Sequence, residues 1–487
     1  MKVYVIILYL IIVYIIGLFA SKLTKNVSDY LLGSRKLNSV TTALGAGAAD
    51  MSGWLMLGLP GAVFVNGISA IWLPIGLCMG GYLNWKIIAR SLRVYTQRFG
   101  NALTIPWYIS NRFKDKTGIL RILTGLVIFV FFTSYIASAL VGFARLLEII
   151  FHFNYTTCLW ISAGIVVAYT MIGGFIAVNW VDVFQGTLML FALFLVPITM
   201  LIHLGGIEKS LGIMIAHQIN ITDPFLNIEY LEIISLLSWG LGYFGQPHIL
   251  VRFMAAKDAG DINTSRKICT TWSAFSLFGA FSVGLLGTAM FSYHTLKNPE
   301  IVFLKSADIL LPSFLSGVIF AAVLSAIMST ISAQLLGASS ALIEDILLQI
   351  FPIEVLKKNR MLFNKASVGF ITLLAIFLAY DSNSSVLKLV AYAWAGLGCA
   401  FGPVILFSLY WQKMTKLGAI LGIFFGAVTV IIWKNISDVA HIFKLYEMIP
   451  GFIVSVLGIL LGSIIENRFN TKILFRQCRH EKFRRRK

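Results

Sequence analysis

Charge is scarce in this chain. Only 12% of its 487 residues are Asp, Glu, Lys or Arg, and the acids are the fewer, 21 against 39. Soluble domains carry about twice that charged share. So little polar surface cannot coat a water-soluble globule of this length. Cysteine is scarce as well. Cys78, Cys158, Cys269, Cys399 and Cys478 are scattered, with no CxxC and no histidine at metal-ligand spacing, and read as small packing residues. No nucleophile arrangement, metal cluster or phosphate loop appears, which argues against a membrane enzyme and against a bound cofactor. The short stretch after Arg468 leaves no room for a signalling domain.

What fills the chain instead is apolar: 58% hydrophobic residues and a mean hydropathy of +0.85. Residues 3–20, 157–179 and 272–294 carry no Asp, Glu, Lys or Arg. About 20 such residues cross the hydrocarbon core as a helix. The first run is expected to persist as a span, since it lacks a basic leader beyond Lys2 and a clear small-x-small cleavage site. Hydropathy predicts an all-α integral membrane protein of about thirteen spans, near 3–21, 40–64, 68–85, 122–150, 157–177, 184–204, 231–250, 271–293, 311–342, 366–381, 387–411, 415–433 and 446–466. One transmembrane domain, 1–466, is then followed by a basic tail, 467–487.

The net charge of +18 does not read as a nucleic-acid surface, because the cations sort by side. Lys2, Lys209, Lys297, Lys305, Lys388, Lys434 and Lys444 fall on one face of the expected membrane. Arg145 lies within a span, and the rest, Arg252 and the tail included, fall on the other face. The positive-inside bias places the richer face in the cytoplasm, with the N-terminus outside and the C-terminus inside. The tail then reads as a topology determinant touching anionic lipid.

Two spans are interrupted. The second holds Gly45, Gly47, Asp50, Ser52, Gly53, Gly58, Pro60 and Gly61. The seventh holds Gly240, Gly242, Gly245, Gln246 and Pro247. Irregular backbone at membrane depth is tolerated where it is buried in protein or lines a cavity, and paired interruptions mark a transporter's binding site. Each opens a set of five spans, about 40–204 and 231–411. Five is odd, so the second set lies inverted relative to the first.

Asp50 is costly at membrane depth unless neutralised, and no Lys or Arg lies in the core of either broken span. A protonated acid, a bound cation or a watery vestibule would answer. Ala326, Ser329 and Thr330 share one face of the ninth span and offer oxygen only, which suits a hard cation such as sodium. Unwound carbonyls near Ala48 and Met51 would complete the shell. Trp239, Tyr243 and Pro247 recur every fourth residue, and with Trp54 and Tyr135 suit a compact apolar ring. Arg35 and Asp182 read equally as cytoplasmic gate residues or as solvated interfacial charges, Asp182 beside a short turn. Glu344 and Asp345 read as solvated, and His248 as a further candidate.

At these residues the chain resembles the sodium:solute symporter family. The stretches are GAGAADMSGWLMLGLPGAVF, ALTIPWYISNRFKDK, WGLGYFGQPHILVRFMAA, AIMSTISAQLL and YAWAGLGCAFGPVILFSLYW. The resemblance implies a five-plus-five inverted-repeat (LeuT-like) core, with sodium as the coupling ion and proline as the expected cargo in a bacterial inner membrane. No nucleic acid and no obligate protein partner are implied. It further implies a sodium site at Ala48, Met51, Ala326, Ser329 and Thr330, with Asp50 essential to affinity. Ser52, Gly53, Trp54, Tyr135, Trp239, Tyr243 and Pro247 match its ligand positions, and Arg35 and Asp182 its positions for sodium entry or release.

Overall fold

A computed structural model describes residues 1–22, 27–172, 175–291, 296, 298–351, 353–436 and 439–484, the last of these from 469 onward as backbone only. Lys25, Lys297 and the end of the basic tail at 485–487 lie outside the described residues, as do the tail's side chains from 469. In chain order the first helices are α1 (Lys2–Ser21), α2 (Val27–Leu32), α3 (Ser39–Asp50), α4 (Leu59–Asn66), α5 (Trp72–Leu83), α6 (Arg90–Arg98), α7 (Ile105–Arg112), α8 (Ile119–Phe151), α9 (Tyr155–Ile172), α10 (Phe175–His203) and α11 (Ile207–Ala216). Then come α12 (Tyr230–Ser238), α13 (Pro247–Ala255), α14 (Ile262–Met290), α15 (Val302–Leu310), α16 (Ser313–Ser340), α17 (Leu348–Ile350), α18 (Glu354–Lys358), α19 (Arg360–Leu378), α20 (Val386–Tyr410), α21 (Lys416–Asn435) and α22 (Met448–Arg484).

Ten helical runs among the described residues are long and apolar enough to cross a membrane. A continuous helix satisfies its own backbone polar groups, which is why such a composition folds this way in lipid. The runs differ in depth. The apolar windows of α16, α8 and α20 are 83%, 78% and 78% buried, against 28% for α1, so the first three form the interior and α1 lies at the rim. Against α16 pack α3, α8 and α10, and the stretch between α12 and α13 packs on α20.

Small residues set these distances. A Cβ on Gly76 would stand 2.5 Å from the Leu237 carbonyl oxygen, and one on Gly245 would stand 2.6 Å from that of Leu397. Backbones approach this closely only where no side chain intervenes.

Three expectations need correction. Residues 179–182 do not flank a turn: α10 begins at Phe175, and Asp182 is buried within it. Nor are Glu344 and Asp345 solvated. Beyond α16 the helix continues through a π-helical stretch, Ala341–Leu347, so both acids stay inside, paired with Arg360 at 3.4 Å and Arg121 at 2.9 Å. Arg252, assigned to a cytoplasmic loop, is buried on α13. Hydropathy ends a helix at a charge, and cannot see the partner that neutralises it.

Candidate functional site

The first break follows from α3's own composition. Its glycines let it press against neighbours: a Cβ on Gly47 would lie 2.9 Å from the Trp272 ring, and one on Gly45 would lie 2.6 Å from the Asn179 amide oxygen. The helix stops at Asp50, Met51 leaves helical geometry at ψ 80°, and Ser52 and Gly53 carry the chain to a π-turn, Trp54–Gly58. A Cβ on Gly53 would meet Ile327 of α16 at 3.2 Å.

A helix end leaves its last carbonyls without helical partners. Here the Gly47 carbonyl accepts from Met51 N at 2.9 Å, and that of Asp50 accepts from Ser52 N at 3.0 Å and Trp54 Nε1 at 3.1 Å. The Ala48 carbonyl is met by α16 instead, by Ser329 Oγ at 2.7 Å and Thr330 Oγ1 at 3.4 Å. The same hydroxyls reach the Ala326 carbonyl at 3.1 and 3.3 Å. Four buried oxygens thus gather without nitrogen or sulfur, the donor chemistry a hard cation prefers. Met51 stands at the break, but of the two predicted carbonyls only that of Ala48 is bonded by these hydroxyls.

Asp50 joins the two breaks. Its Oδ2 accepts from Tyr243 Oη at 2.6 Å, while Oδ1 has no hydrogen-bond partner. Tyr243 sits in a 3-10 turn, Trp239–Gly245, that ends at the extended Gln246 before Pro247 starts α13. This break is braced by α20. Trp394 Nε1 donates to the Trp239 carbonyl at 2.8 Å, and Gln246 Nε2 donates to the carbonyls of Trp394 at 3.0 Å and Gly242 at 3.2 Å.

The predicted aromatic stripe does not form a single wall. Trp239 stacks on Tyr446 with ring centres 5.3 Å apart, and Tyr243 meets Trp394 edge-on at 5.0 Å. Tyr135 stands edge-on to His248 at 5.9 Å, with Ser52 beside its phenol. Trp54 and Tyr243 meet at Asp50, while Tyr135 and Pro247 gather at His248.

From Pro247 and His248 a cavity runs past Phe132, Val251, Arg252 and Ser340 to Thr104 and Asp345. Arg252 donates to Asp182 Oδ2 at 3.1 Å and to the His248 carbonyl at 2.5 Å, and lies over the Phe175 ring. Arg35 does not pair with Asp182. It binds the carbonyls of Met254 at 2.5 Å and Ala102 at 2.9 Å, and the Asn101 amide oxygen at 3.0 Å, clasping the end of α13 to the loop after α6. Burial, and secondarily the nearby Arg93 charge, lower its pKa to about 10, which leaves it cationic at neutral pH. Sequence reasoning missed Arg252, Trp394 and Tyr446. Trp394 and Arg252 lie in recognisable stretches and so carried a signal, whereas Tyr446 lies in none.

The sequence pattern of the family described as "Sodium:solute symporter family" matches residues 30–426. The chain is 47% identical over 455 residues to the high-affinity proline transporter of Bacillus subtilis (strain 168), covering 93% of this chain and 95% of that one. It is likewise 47% identical over 457 residues to the sodium/proline symporter of Escherichia coli (strain K12), covering 93% and 90%. A solved structure of a Na+-coupled sialic acid symporter shares the fold at a TM-score of 0.79, with 16% identity, covering 95% of this chain and 98% of that one.

Proposed function

Because the chain belongs to the sodium:solute symporter family, we propose that it imports L-proline across a bacterial cytoplasmic membrane in symport with sodium. Membership makes it a multi-pass membrane transporter and not an enzyme. The observation that carries the ion is the capture of the Ala48 carbonyl by Ser329 and Thr330.

Sodium binds Ala48, Met51, Ala326, Ser329 and Thr330, with Asp50 supplying the charge. The two hydroxyls that donate to these carbonyls also carry lone pairs; an ion there turns the hydrogens away and draws on the lone pairs of hydroxyl and carbonyl alike. The end of α3 is thereby tied to α16. Proline takes Ser52, Gly53, Trp54, Tyr135, Trp239, Tyr243 and Pro247, its ring against the aromatics and its carboxylate toward the half-helix N-termini. Each ligand favours the other, and the coupling is reciprocal. Arg35 and Asp182 gate the cytoplasmic side, where Asp182 holds Arg252, a residue lining the cavity that leads from Pro247 to Asp345.

The proposed frame is about thirteen passes in a five-plus-five inverted-repeat core, with the N-terminus outside and the C-terminus in the cytoplasm. Its support is the paired breaks and the asymmetry of the cations. The membrane potential then contributes about 2.3 kcal/mol per charge per 100 mV.

Labelled proline entering proteoliposomes under an imposed sodium gradient tests this. Accumulation that vanishes when choline replaces sodium supports it. Accumulation under a proton gradient alone would transfer coupling to a protonated Asp50. Sodium-dependent uptake of pantothenate, a sugar or another amino acid, without proline, would keep the machine and change the cargo.

A further inference from the structure

The first helix, α1, lies outside both expected repeats, and between Lys2 and Ser21 its only polar side chains are Tyr4, Tyr9 and Tyr14. Tyr4 and Tyr14 are 75% and 45% exposed, but Tyr9 is 4% exposed. Its Oη accepts from Gln185 Nε2 of α10 at 2.7 Å, and its ring stacks on Phe184 with centres 6.4 Å apart. The Ser325 hydroxyl of α16 lies beside the phenol. A phenol and a carboxamide are costly at membrane depth unless each finds a partner, and apolar side chains would fill the same space without that cost.

Both partners sit one turn from residues of the candidate site. Gln185 comes three residues after Asp182, whose carboxylate holds Arg252, and Ser325 comes four before Ser329, whose hydroxyl meets the Ala48 carbonyl. Spacings of three and four keep two residues on one helix face. The helices α10 and α16 pack on each other, and both α1 and α3 pack on the pair. At its outset α1 is also fixed to this group: Lys2 pairs with Asp308 and lies over the Phe320 ring of α16, and a Cβ on Gly317 would stand 3.0 Å from that of Val5. A hydrogen bond between helices adds little to a membrane protein's stability, because polar groups find other partners when the helices separate. What such a bond does supply is fixed geometry.

We propose that Tyr9 is a positioning residue for sodium: its hydroxyl fixes how α10 lies against α16, and so where the end of α3 meets Ser329 and Thr330. This rests on the sodium-coupled reading and deepens it. The Gln185 carboxamide occupies one lone pair of the phenol, which leaves the phenol's proton for Ser325 Oγ. Ser325 in turn donates to the Ala321 carbonyl at 2.8 Å, so the relay from α10 through α1 ends on the backbone of α16. The first helix is then a working part of the carrier, not only an anchor in lipid.

The test is proline uptake by the reconstituted full-length protein over a sodium titration. Tyr9→Phe keeps the ring and its stack on Phe184 and removes the hydroxyl alone. Half-saturating sodium should rise about fivefold, while the maximal rate and, at saturating sodium, half-saturating proline stay within about twofold of wild type. Gln185→Leu should act in the same direction, and the double variant should be no worse than the stronger single one, since both remove one bond. Melting in choline should not separate Tyr9→Phe from wild type, as expected of a bond that adds little stability. Half-saturating sodium within about 1.5-fold of wild type in Tyr9→Phe would overturn the proposal, leaving the phenol as packing. Effects that multiply in the double variant would overturn it too, and so would a Tyr9→Phe protein that unfolds in choline. If wild type itself takes up proline equally in sodium and in choline, the sodium-coupled reading has failed and this proposal with it, a result that no Tyr9 comparison can imitate.

Discussion

The break at residues 51–53 gives its Asp50 carbonyl to an indole but offers its loose Ala48 carbonyl to two hydroxyls, whereas the break at 239–246 gives its carbonyls to an indole and a carboxamide N–H. The chemistry of those partners separates the two. A hydroxyl is donor and acceptor and turns freely, so it can release a carbonyl and present a lone pair to an ion. An indole N–H can only donate. The first break is thus built to exchange partners, and the second to hold still. Asp50 and Tyr243 connect them through one hydrogen bond of 2.6 Å.

Four variants probe that division. The largest effect is expected from Asp50→Asn. With its charge gone, sodium-driven proline uptake should fall about 100-fold, the loss of a charge-assisted contact. Thermal stability in sodium-free detergent should not fall with it, because a buried carboxylate without an ion pair is itself a cost. Sodium should no longer raise the melting temperature, as it does when it binds only the folded state. Unfolding of this variant without sodium would show that Asp50 is structural.

Gly242→Ala comes next, and acts on the other break. A Cβ there would collide with the Trp394 indole. Overpacking of this kind costs about 1–3 kcal/mol, and a melting curve should show it in sodium and in choline alike. Sodium-specific loss would contradict the view of this break as scaffold. Third is the pair Ser329→Ala/Thr330→Ala, expected to raise half-saturating sodium about tenfold, with a smaller change in stability. Uptake assayed over a sodium titration separates this from a lower maximal rate.

How much of this was legible beforehand differs by kind of contact. The breaks, Asp50 and the Ala326–Ser329–Thr330 face could be read because glycine, a lone acid and helical spacing are local signals. The pairs Asp182–Arg252 and Asp345–Arg121 could not. Their partners lie far apart in sequence, and each charge alone mimics a helix end in water. The separate surroundings of Trp239 and Tyr243 were hidden for a similar reason. A four-residue repeat places side chains on one face of a regular helix, but Trp239–Gly245 is 3-10, where a repeat of three residues aligns them instead.

The smallest effect, and the sharpest contrast, belongs to Trp394→Phe. The ring's volume largely stays, including much of its edge contact with Tyr243, and only the Nε1–H to the Trp239 carbonyl is lost. A buried carbonyl left with one donor fewer costs about 1 kcal/mol. If the second break is a fixed brace, that cost appears as a lower melting temperature, equal with and without sodium. Half-saturating sodium then stays within about twofold of wild type, since no ion ligand has been touched. If sodium affinity falls as far as in Ser329→Ala/Thr330→Ala, the brace moves during the cycle. Both breaks then rearrange together, with the Tyr243–Asp50 hydrogen bond as the link between them.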